Sequence, residues 1–324
     1  MGQELPQSPF RVATDVWGVA VPVGSPTAIV PYTTCYVLRD QEGVGHLIDP
    51  GEASEAGLEA LTRGLRELSI DAVDTVTGTH AHPDHIQLAE QIHEQYGARI
   101  VMGVEDAADL GEPHGLQEVL QALASWQVPE DQRAQMHETF DWVNDSQLVA
   151  DFTVDEGDIL PISGHSLVVW NSPGHTPGHI CLVDTARSVV YTGDQVLKMR
   201  NPGIGYGDYG HQNPLRVYLG SLERLRGLGG DYLVAPGHGL PFRGLTERCR
   251  AIQQHHLRRA VAISAILEVN PEASVWELAS RIRWGGGWEN LSGPVRFVAL
   301  AQTEIHRDFI LSGGIDEYHA VCGE

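Results

Sequence analysis

The sequence predicts an α/β fold in which two packed β-sheets are covered by helices, with a smaller, mainly helical module at the C-terminal end. Three observations lead to this prediction. Strand-like and helix-like runs alternate over residues 33–102, short strands dominate residues 151–193, and strand signals nearly vanish after residue 242. We therefore expect two domains, residues 1–242 and residues 243–324.

The first strand-rich half alternates predicted strands and helices, as in a βαβ unit. Residues 33–39 and 45–49 are β-branched and apolar runs joined by the turn-like DQEGV, which predicts a hairpin. Leucines at 58, 61 and 65 predict an amphipathic helix over residues 52–67. The elements expected next are a strand at 72–76, a histidine-rich loop at 79–85, a helix at about 86–96 and a strand at 99–102.

The second half begins after a mostly helical insertion, residues 104–150, which we expect to pack near the working face of the protein. Its Trp126 and Trp142 are expected in the core of the insertion, although a hydrophobic wall beside a substrate would also suit them. Gly, Pro, Asp and Ser turns then separate five short strands. These are DFTV, DILPI, SLVVWN, HICLVD and SVVYTG, followed by a helix at 214–226 and a strand at 232–235.

The C-terminal module reads as three helices. One long helix is predicted over residues 243–268 and ends before Pro271. Two further helices are predicted at 274–283 and 294–312, with the Gly-rich WGGGWENLSG between them. The final GGIDEYHAV is expected to form a short strand or wing.

Composition excludes several classes of protein. The chain of 324 residues is 42% hydrophobic and carries a net charge of −22, which argues against a general binder of nucleic acid or anionic membranes. The four cysteines show no CxxC spacing, so we expect reduced, buried thiols. Residues 1–10 lack the basic and apolar regions of a secretory signal, and no run is long enough for a membrane helix. We therefore expect a soluble, cytoplasmic protein.

The segment Thr79-His80-Ala81-His82-Pro83-Asp84-His85 is the strongest chemical signal in the chain. It places three imidazoles and a carboxylate in six positions directly after an apolar strand. His80 and His82 can point to one side while Asp84 and His85 turn to another, which would supply two adjacent metal positions. Imidazole and carboxylate suit zinc, iron or manganese. A solvated polar loop is the plainer alternative, but histidines rarely cluster beside an aspartate in this way.

Three later residues repeat the pattern of a ligand type at the end of an apolar run. His175 lies in NSPGHTPGH, Asp194 in YTGD and His238 in APGHG. Each directly follows a glycine, which lets the backbone turn sharply and aim one side chain inward. Alone, each would more often be an ordinary turn residue, but four such segments with matching chemistry indicate one metal site.

This set of motifs resembles the metallo-β-lactamase superfamily of metal-dependent hydrolases over approximately residues 15–240. The resemblance implies an αββα sandwich with the metals at one edge of its two sheets. By position, His80, His82 and His175 would hold a first metal ion, and Asp84, His85 and His238 would hold a second. Asp194 would bridge the two ions. Two divalent ions are thus implied, with zinc expected first and iron or manganese as alternatives.

The retained Asp84 and Asp194 place the chain closer to glyoxalase II-like, lactonase-like and thioesterase-like branches. The tail, with Trp276, Trp284 and Trp288, resembles the winged-helix-like module of β-lactamase-like protein 2 relatives. The implied reaction is cleavage of a thioester or lactone by a metal-bound hydroxide, with Asp84 as the residue that orients it and carries its proton. The expected substrate is a small-molecule or carrier-bound acyl compound.

Two alternative functions remain open. Relatives with a similar tail include ribonucleases, so a phosphodiesterase is one alternative, although the acidic surface and the absence of a basic patch argue against it. The other is a persulfide dioxygenase, which uses one iron ion and does not need the second ligand set. The tail is expected to bind no nucleic acid and instead to shape the substrate entrance or to form a homodimer contact.

Other residues also have expected roles. Thr79, Asp49 and Thr192 are candidates to orient the imidazoles by hydrogen bonding. His179 is expected to be structural, and His255 and His256 to lie on a solvated helix face. Finally, four residues that follow Asp194 could line a pocket, although a glycine-rich surface loop is an equal alternative: Lys198, Tyr206, Tyr209 and His211.

Overall fold

The computed structural model describes residues 5–24, 30–110, 116–137 and 148–317. Trp142 lies outside these residues, as does the C-terminal part of the expected wing. The described chain forms two β-sheets with helices on their outer faces, which confirms the predicted four-layer αββα sandwich.

The first sheet contains seven strands in chain order. Its first four strands pair antiparallel, and its last three pairings are parallel. The strands are β1 (Phe10–Ala13), β2 (Val16–Pro22), β3 (Tyr32–Arg39), β4 (Gly45–Ile48), β5 (Val73–Thr77), β6 (Arg99–Gly103) and β7 (Phe152–Val154). The hairpin of β1 and β2 is absent from the sequence-based prediction, although VWGVAVP has the composition of a strand.

The second sheet has five strands in the order β12-β11-β10-β9-β8. They are β8 (Ile159–Leu160), β9 (Leu167–Asn171), β10 (Ile180–Asp184), β11 (Val189–Gly193) and β12 (Leu233–Pro236). Only the pair β11–β12 is parallel; the other pairs are antiparallel.

The sheets are held face to face by alternate side chains. In β3, Tyr36 and Leu38 point between the sheets and pack with Leu182 and Tyr191 of the second sheet. Cys35 and Val37 point the other way, into a core shared with the outer helices. This two-residue alternation is the property of a strand buried on both faces.

Ten α-helices are described. The first three cover the first sheet, the next three belong to the insertion, α7 covers the second sheet, and the last three form the tail. Their bounds are α1 (Glu55–Glu67), α2 (Pro83–Ile86), α3 (Leu88–Tyr96), α4 (Val104–Asp109), α5 (Leu116–Ser125), α6 (Glu130–His137), α7 (Pro214–Arg226), α8 (Leu245–Val269), α9 (Val275–Arg281) and α10 (Gly293–Leu311).

The tail packs directly on the second sheet's helix layer. Cys249 and Ile252 of α8 share one apolar core with Leu215 and Leu222 of α7. Helix α9 begins with a capping box between Ser274 and Glu277. Within residues 243–317 we observe helices and no strand, and residues 314–317 of the expected wing are helical. None of the described helices combines the length and apolar composition needed to span a membrane.

The insertion packs on the tail. Trp126, which is 2% exposed, belongs to a core with Met136, Val275 and Leu300, and its carbonyl accepts a hydrogen bond from the Trp276 N–H. Trp126 is therefore a core residue. The start of the insertion, helix α4, reaches the site described next.

Candidate metal centre

The candidate ligands lie on four loops that leave the same edge of the two sheets. One loop follows β5, and the others follow β9, β11 and β12. Strands β11 and β12 are parallel, and β9 runs in the same direction because it is antiparallel to β10. Their carboxyl ends therefore meet at one edge, which brings together residues more than 150 positions apart in the chain.

The first group consists of His80, His82 and His175, whose ligand atoms lie within 4.8 Å of one another. His82 Nδ1 is 2.9 Å from His80 Nε2 and 2.9 Å from His175 Nε2. Two ligands of one tetrahedral zinc ion, each at about 2.0–2.1 Å, lie about 3.3 Å apart. The three nitrogens thus have nearly the spacing that one shared cation requires.

The second group consists of Asp84, His85 and His238. His85 Nε2 is 3.2 Å from His238 Nε2, and Asp84 Oδ2 is 3.4 Å from His238 Nε2. Asp84 and His85 belong to the short helix α2, which begins at Pro83, directly after His82.

Asp194 lies between the two groups. Its Oδ1 is 3.5 Å from His85 Nε2 and 3.4 Å from His238 Nε2, while its Oδ2 is 3.8 Å from His175 Nε2. The Oδ1 atom is buried and has no hydrogen-bond partner among the described residues. A buried carboxylate oxygen without a partner is costly, and a cation between these side chains would supply one. The residues present therefore fit a pair of divalent ions.

Outer hydrogen bonds fix the tautomers of the imidazoles. His175 Nδ1 donates to the Gly203 carbonyl at 2.7 Å, and His238 Nδ1 donates to the Tyr32 carbonyl at 2.9 Å. His85 Nδ1 donates to Asp49 Oδ2 at 2.9 Å. Each bond uses Nδ1 and leaves Nε2 as the nitrogen directed at the candidate metal site.

Thr79 connects Asp49 to His80. Its hydroxyl donates to Asp49 Oδ2 at 2.8 Å and accepts from His80 Nδ1 at 3.1 Å. The Thr79 N–H also donates to Asp49 Oδ1. Asp49 and Thr79 thus have the orienting positions expected from the sequence. The expectation for Thr192 was wrong, because its hydroxyl donates to the Val196 carbonyl and to no imidazole.

Sequence reasoning missed Asp106 of helix α4. This fully buried carboxylate accepts hydrogen bonds from the Ala81 N–H, the Thr176 hydroxyl and the Gly178 N–H. It therefore joins the loop of His80 and His82 to the loop of His175. A single aspartate in a helical segment gives no local sequence signal for such a role.

His179 is structural, as expected. Its Nδ1 lies 2.9 Å from the Ser172 hydroxyl, and its Nε2 accepts from the Asp194 N–H at 3.2 Å. Its ring stacks on His80 with centroids 5.1 Å apart. His179 thus supports both His80 and the backbone of Asp194.

Burial and neighbouring charges shift the pKa values of the candidate ligands in different directions. Burial lowers the pKa of His82 to about 3, with a further contribution from His175. Burial also lowers the pKa of His238, but Asp194 and Asp84 outweigh it and raise that pKa well above its ordinary value. Burial raises the pKa of Asp194, yet the neighbouring His238 and His85 hold it well below the usual range. The carboxylates therefore stay ionised and provide a negative field that favours cations.

The four residues of unknown role after Asp194 differ in position. The Tyr206 ring lies edge-on against His82 and His175, with centroid distances of 4.9 Å and 5.2 Å. The Tyr209 hydroxyl is buried without a hydrogen-bond partner among the described residues. Lys198 and His211 are exposed. Only Tyr206 of these residues contacts the candidate ligands.

A family model described as the Metallo-beta-lactamase superfamily matches residues 29–238. The chain belongs to the metallo-β-lactamase superfamily. The superfamily match contains all seven candidate ligands. Membership in this superfamily implies binding of divalent metal ions and supports a hydrolase.

Individual metallo-β-lactamase relatives agree with this assignment. Hydroxyacylglutathione hydrolase GloC of Haemophilus influenzae is 27% identical over 215 residues, which cover 65% of this chain and 89% of that protein. A metallo-beta-lactamase family protein from Thermus thermophilus superposes with a TM-score of 0.75 and 26% identity, covering 93% of this chain and 94% of the other. A beta-lactamase domain protein from Burkholderia ambifaria has a TM-score of 0.77 at 23% identity, covering 96% and 92%. The structural likeness therefore extends into the C-terminal helices.

Proposed function

We propose that this chain is a dinuclear metal-dependent hydrolase that cleaves an activated acyl bond, a thioester or a lactone, of a small-molecule or carrier-bound substrate. The observation that carries the proposal is the position of Asp194, with one carboxylate oxygen toward each group of ligands. A mononuclear site would not need this arrangement. Complete ligand sets on both sides of Asp194 therefore favour hydrolysis over a mononuclear iron dioxygenase reaction.

The ligand assignment follows from the donor atoms. His80 Nε2, His82 Nδ1 and His175 Nε2 would hold the first ion, and Asp84, His85 Nε2 and His238 Nε2 would hold the second. Asp194 would contact both. Two bound divalent ions, zinc by donor type, would lower the pKa of a water and polarise a carbonyl.

Asp84 is the proposed acid–base residue. Burial raises its pKa, but His85 and His238 hold that pKa below its ordinary value, so the side chain stays ionised. It is also the most exposed of the three carboxylates at the centre, at 28% against 13% for Asp194 and 2% for Asp49. An ionised and accessible carboxylate can orient a water molecule and later carry its proton. We infer that substrate approaches from the side of Asp84.

Two further observations support an acyl substrate. Relatives named hydroxyacylglutathione hydrolases, at 27% and 28% identity, are similar over about two thirds of this chain. The net charge of −22 disfavours a long polyanion as substrate.

The test combines metal analysis with a substrate screen. Purified protein should contain two divalent ions per chain and hydrolyse a thioester or a lactone, and chelation should abolish turnover until zinc is restored. The variant His93→Ala, on the exposed face of α3, serves as the matched histidine control and should retain metal and activity. A single iron ion with persulfide oxidation, or faster turnover of a bis-phosphodiester than of any acyl substrate, would refute the proposal.

A further inference from the structure

The loop after Asp194 forms a backbone contact with the loop that carries His175. The Gly203 carbonyl accepts from His175 Nδ1, the Gly205 N–H donates to the Gly174 carbonyl at 2.9 Å, and the Tyr206 N–H donates to the His175 carbonyl at 3.0 Å. Three hydrogen bonds thus connect residues 203–206 to residues 174–175. The orientation of His175 depends on where this loop lies.

Helix α10 of the tail also contacts this loop. Gln302 Nε2 donates to the Ile204 carbonyl at 2.7 Å, and the Gln302 side chain is buried. Farther along, Asn213 Nδ2 donates to the Ile305 carbonyl at 3.0 Å. A Cβ atom at Gly205, which has a φ of +81°, would lie 2.4 Å from Ile305 Cδ1. Helix and loop are therefore in close contact along this stretch.

Gln302 bonds Ile204, the residue next to Gly203, and the Gly203 carbonyl is the outer partner of His175. Ile204 lies between two glycines, Gly203 and Gly205, whose backbones are conformationally permissive. The loop therefore needs external contacts to hold one conformation. The Ile204 side chain is 1% exposed and packs in the core shared by α7 and α8, and Gln302 fixes its carbonyl. Without that donor, a buried carbonyl would be left unpaired, and the chain would move to satisfy it.

We propose that Gln302 is a positioning residue for the first metal group. It acts through the Ile204 carbonyl to hold the Gly203 carbonyl against His175 Nδ1, so that His175 Nε2 faces His82. Since Tyr206 packs on both His82 and His175, a shift of the loop disturbs two of the three ligands. This inference rests on the proposed dinuclear site and assigns to the helical tail a part in building it.

Among the described residues, the outer hydrogen-bond partners of His85 and His238 lie outside the tail. Asp49, at the end of β4, orients His85, and the Tyr32 carbonyl, at the start of β3, orients His238. Both partners belong to the first sheet. Loss of Gln302 should therefore weaken metal binding at the first group and spare the second.

The test measures zinc binding to metal-free protein by competition with a chromophoric chelator. Gln302→Met keeps an unbranched side chain of similar length and removes the amide donor. Thr303→Val is the matched control, because Thr303 is the neighbouring fully buried residue and its hydroxyl only bonds the Ala299 carbonyl within α10. We expect Gln302→Met to weaken one of the two zinc constants by up to about 10–100-fold, the cost of losing an outer partner directly, because Gln302 acts through the Gly203 carbonyl. Thr303→Val should change neither constant.

Two further proteins, each lacking one ligand of one metal group, show which metal group Gln302 affects. In His238→Ala protein, which retains the first group, adding Gln302→Met should weaken the remaining zinc constant by the same factor. In His82→Ala protein, which retains the second group, it should have no effect. The shorter variant Gln302→Asn, whose amide falls short of Ile204, provides the same test if Gln302→Met does not fold. Folding is followed by circular dichroism of the metal-free proteins.

The failures of the two proposals are distinguishable. If the unaltered chain binds fewer than two divalent ions, the dinuclear function is wrong. If it binds two, and Gln302→Met and Gln302→Asn both fold and bind zinc as the unaltered chain does, the positioning role of Gln302 is wrong while the proposed function stands.

Discussion

Two clusters of buried histidines lie in different parts of this molecule, and they differ in the charges around them. At the sheet edge, His85 lies beside Asp49, Asp84 and Asp194. In the tail, His256 of α8 and His306 of α10 stack with centroids 5.2 Å apart and a 3.1 Å contact between Nδ1 and Nε2. The charged group beside this pair is cationic, the Arg259 guanidinium.

The difference shows that carboxylates, and not the number of imidazoles, distinguish a metal centre from a structural cluster. Burial and Arg259 lower the pKa of His306 to about 3, so its ring stays neutral and serves as a hydrogen-bonding core residue. Among the described residues, neither tail histidine belongs to a group of side chains that could hold a metal ion. At the sheet edge, ionised carboxylates provide the charge that a divalent cation needs.

The largest expected effect is the loss of metal when a candidate ligand is replaced. Asp194→Asn, His80→Ala and His85→Ala should each lose metal from one or both groups. Activity should fall by more than about 100-fold, the upper cost of losing an outer hydrogen-bond partner, because each substitution removes a direct ligand. His256→Gln in the tail should retain both ions. Metal content and turnover are measured together, and two ions with full activity in Asp194→Asn would remove the bridging assignment.

Asp84→Asn separates the chemical role of this carboxylate from substrate binding. The asparagine keeps the size of the side chain but cannot accept a proton, so we expect kcat to fall far more than KM changes. The measurement is steady-state kinetics on the best acyl substrate, with metal content checked in parallel. An unchanged kcat with a weakened KM would contradict the acid–base role.

The seven candidate ligands could be predicted from the sequence because each has a local signal. His175, Asp194 and His238 each follow a glycine at the end of an apolar run, and His80–His85 form a dense motif. Chain topology then brings them together. By contrast, Asp106 and Gln302 have polar partners that lie 25–98 positions away in the chain. No local pattern marks such residues, since their roles depend on tertiary contacts.

The interpretation of His256 shows a second limit. Its neighbours His255, Arg258 and Arg259 favour a solvated helix face, but His256 is 1% exposed. That expectation was wrong because α8 is covered by α7 on one side and by α10 on another. The Arg259 guanidinium lies over the Trp284 ring, 4.2 Å from its centroid. An arginine can thus cover apolar surface and does not by itself mark a face open to water.

The tail cluster also predicts a dependence of stability on pH. The pKa of His306 is about 3 in the folded chain and about 6.5 when unfolded, so the unfolded state binds more protons between these values. The free energy of unfolding should therefore fall as pH falls through this window, by about 2 kcal/mol for this group between pH 7 and pH 5. Urea unfolding of metal-free protein at both pH values measures it.

The controls for this prediction lie on the same helix. His306→Gln removes the titrating ring and should reduce the loss of stability between pH 7 and pH 5, since glutamine takes up no proton when the chain unfolds. His256, whose pKa burial also lowers, keeps its own contribution. Thr303→Val changes a neighbouring buried residue that does not titrate and should leave the loss unchanged. Equal losses in His306→Gln and the unaltered chain would show that this histidine does not contribute.

The smallest expected effect concerns nucleic acid, which the tail should not bind. Nine arginines in residues 243–324 are matched by ten acidic residues, and Arg258 and Arg259 are the only adjacent basic pair. Arg259 is directed at Trp284, which leaves Arg258 as the member of the pair available to a phosphate. Salt-dependent binding requires several such contacts, each adding to the loss of affinity as salt rises.

Titration with duplex DNA and single-stranded RNA at about 50 and 200 mM salt should therefore detect no binding in the micromolar range. Roughly micromolar binding that is lost at the higher salt, and that disappears when residues 243–324 are removed from an otherwise folded chain, would overturn this view of the tail.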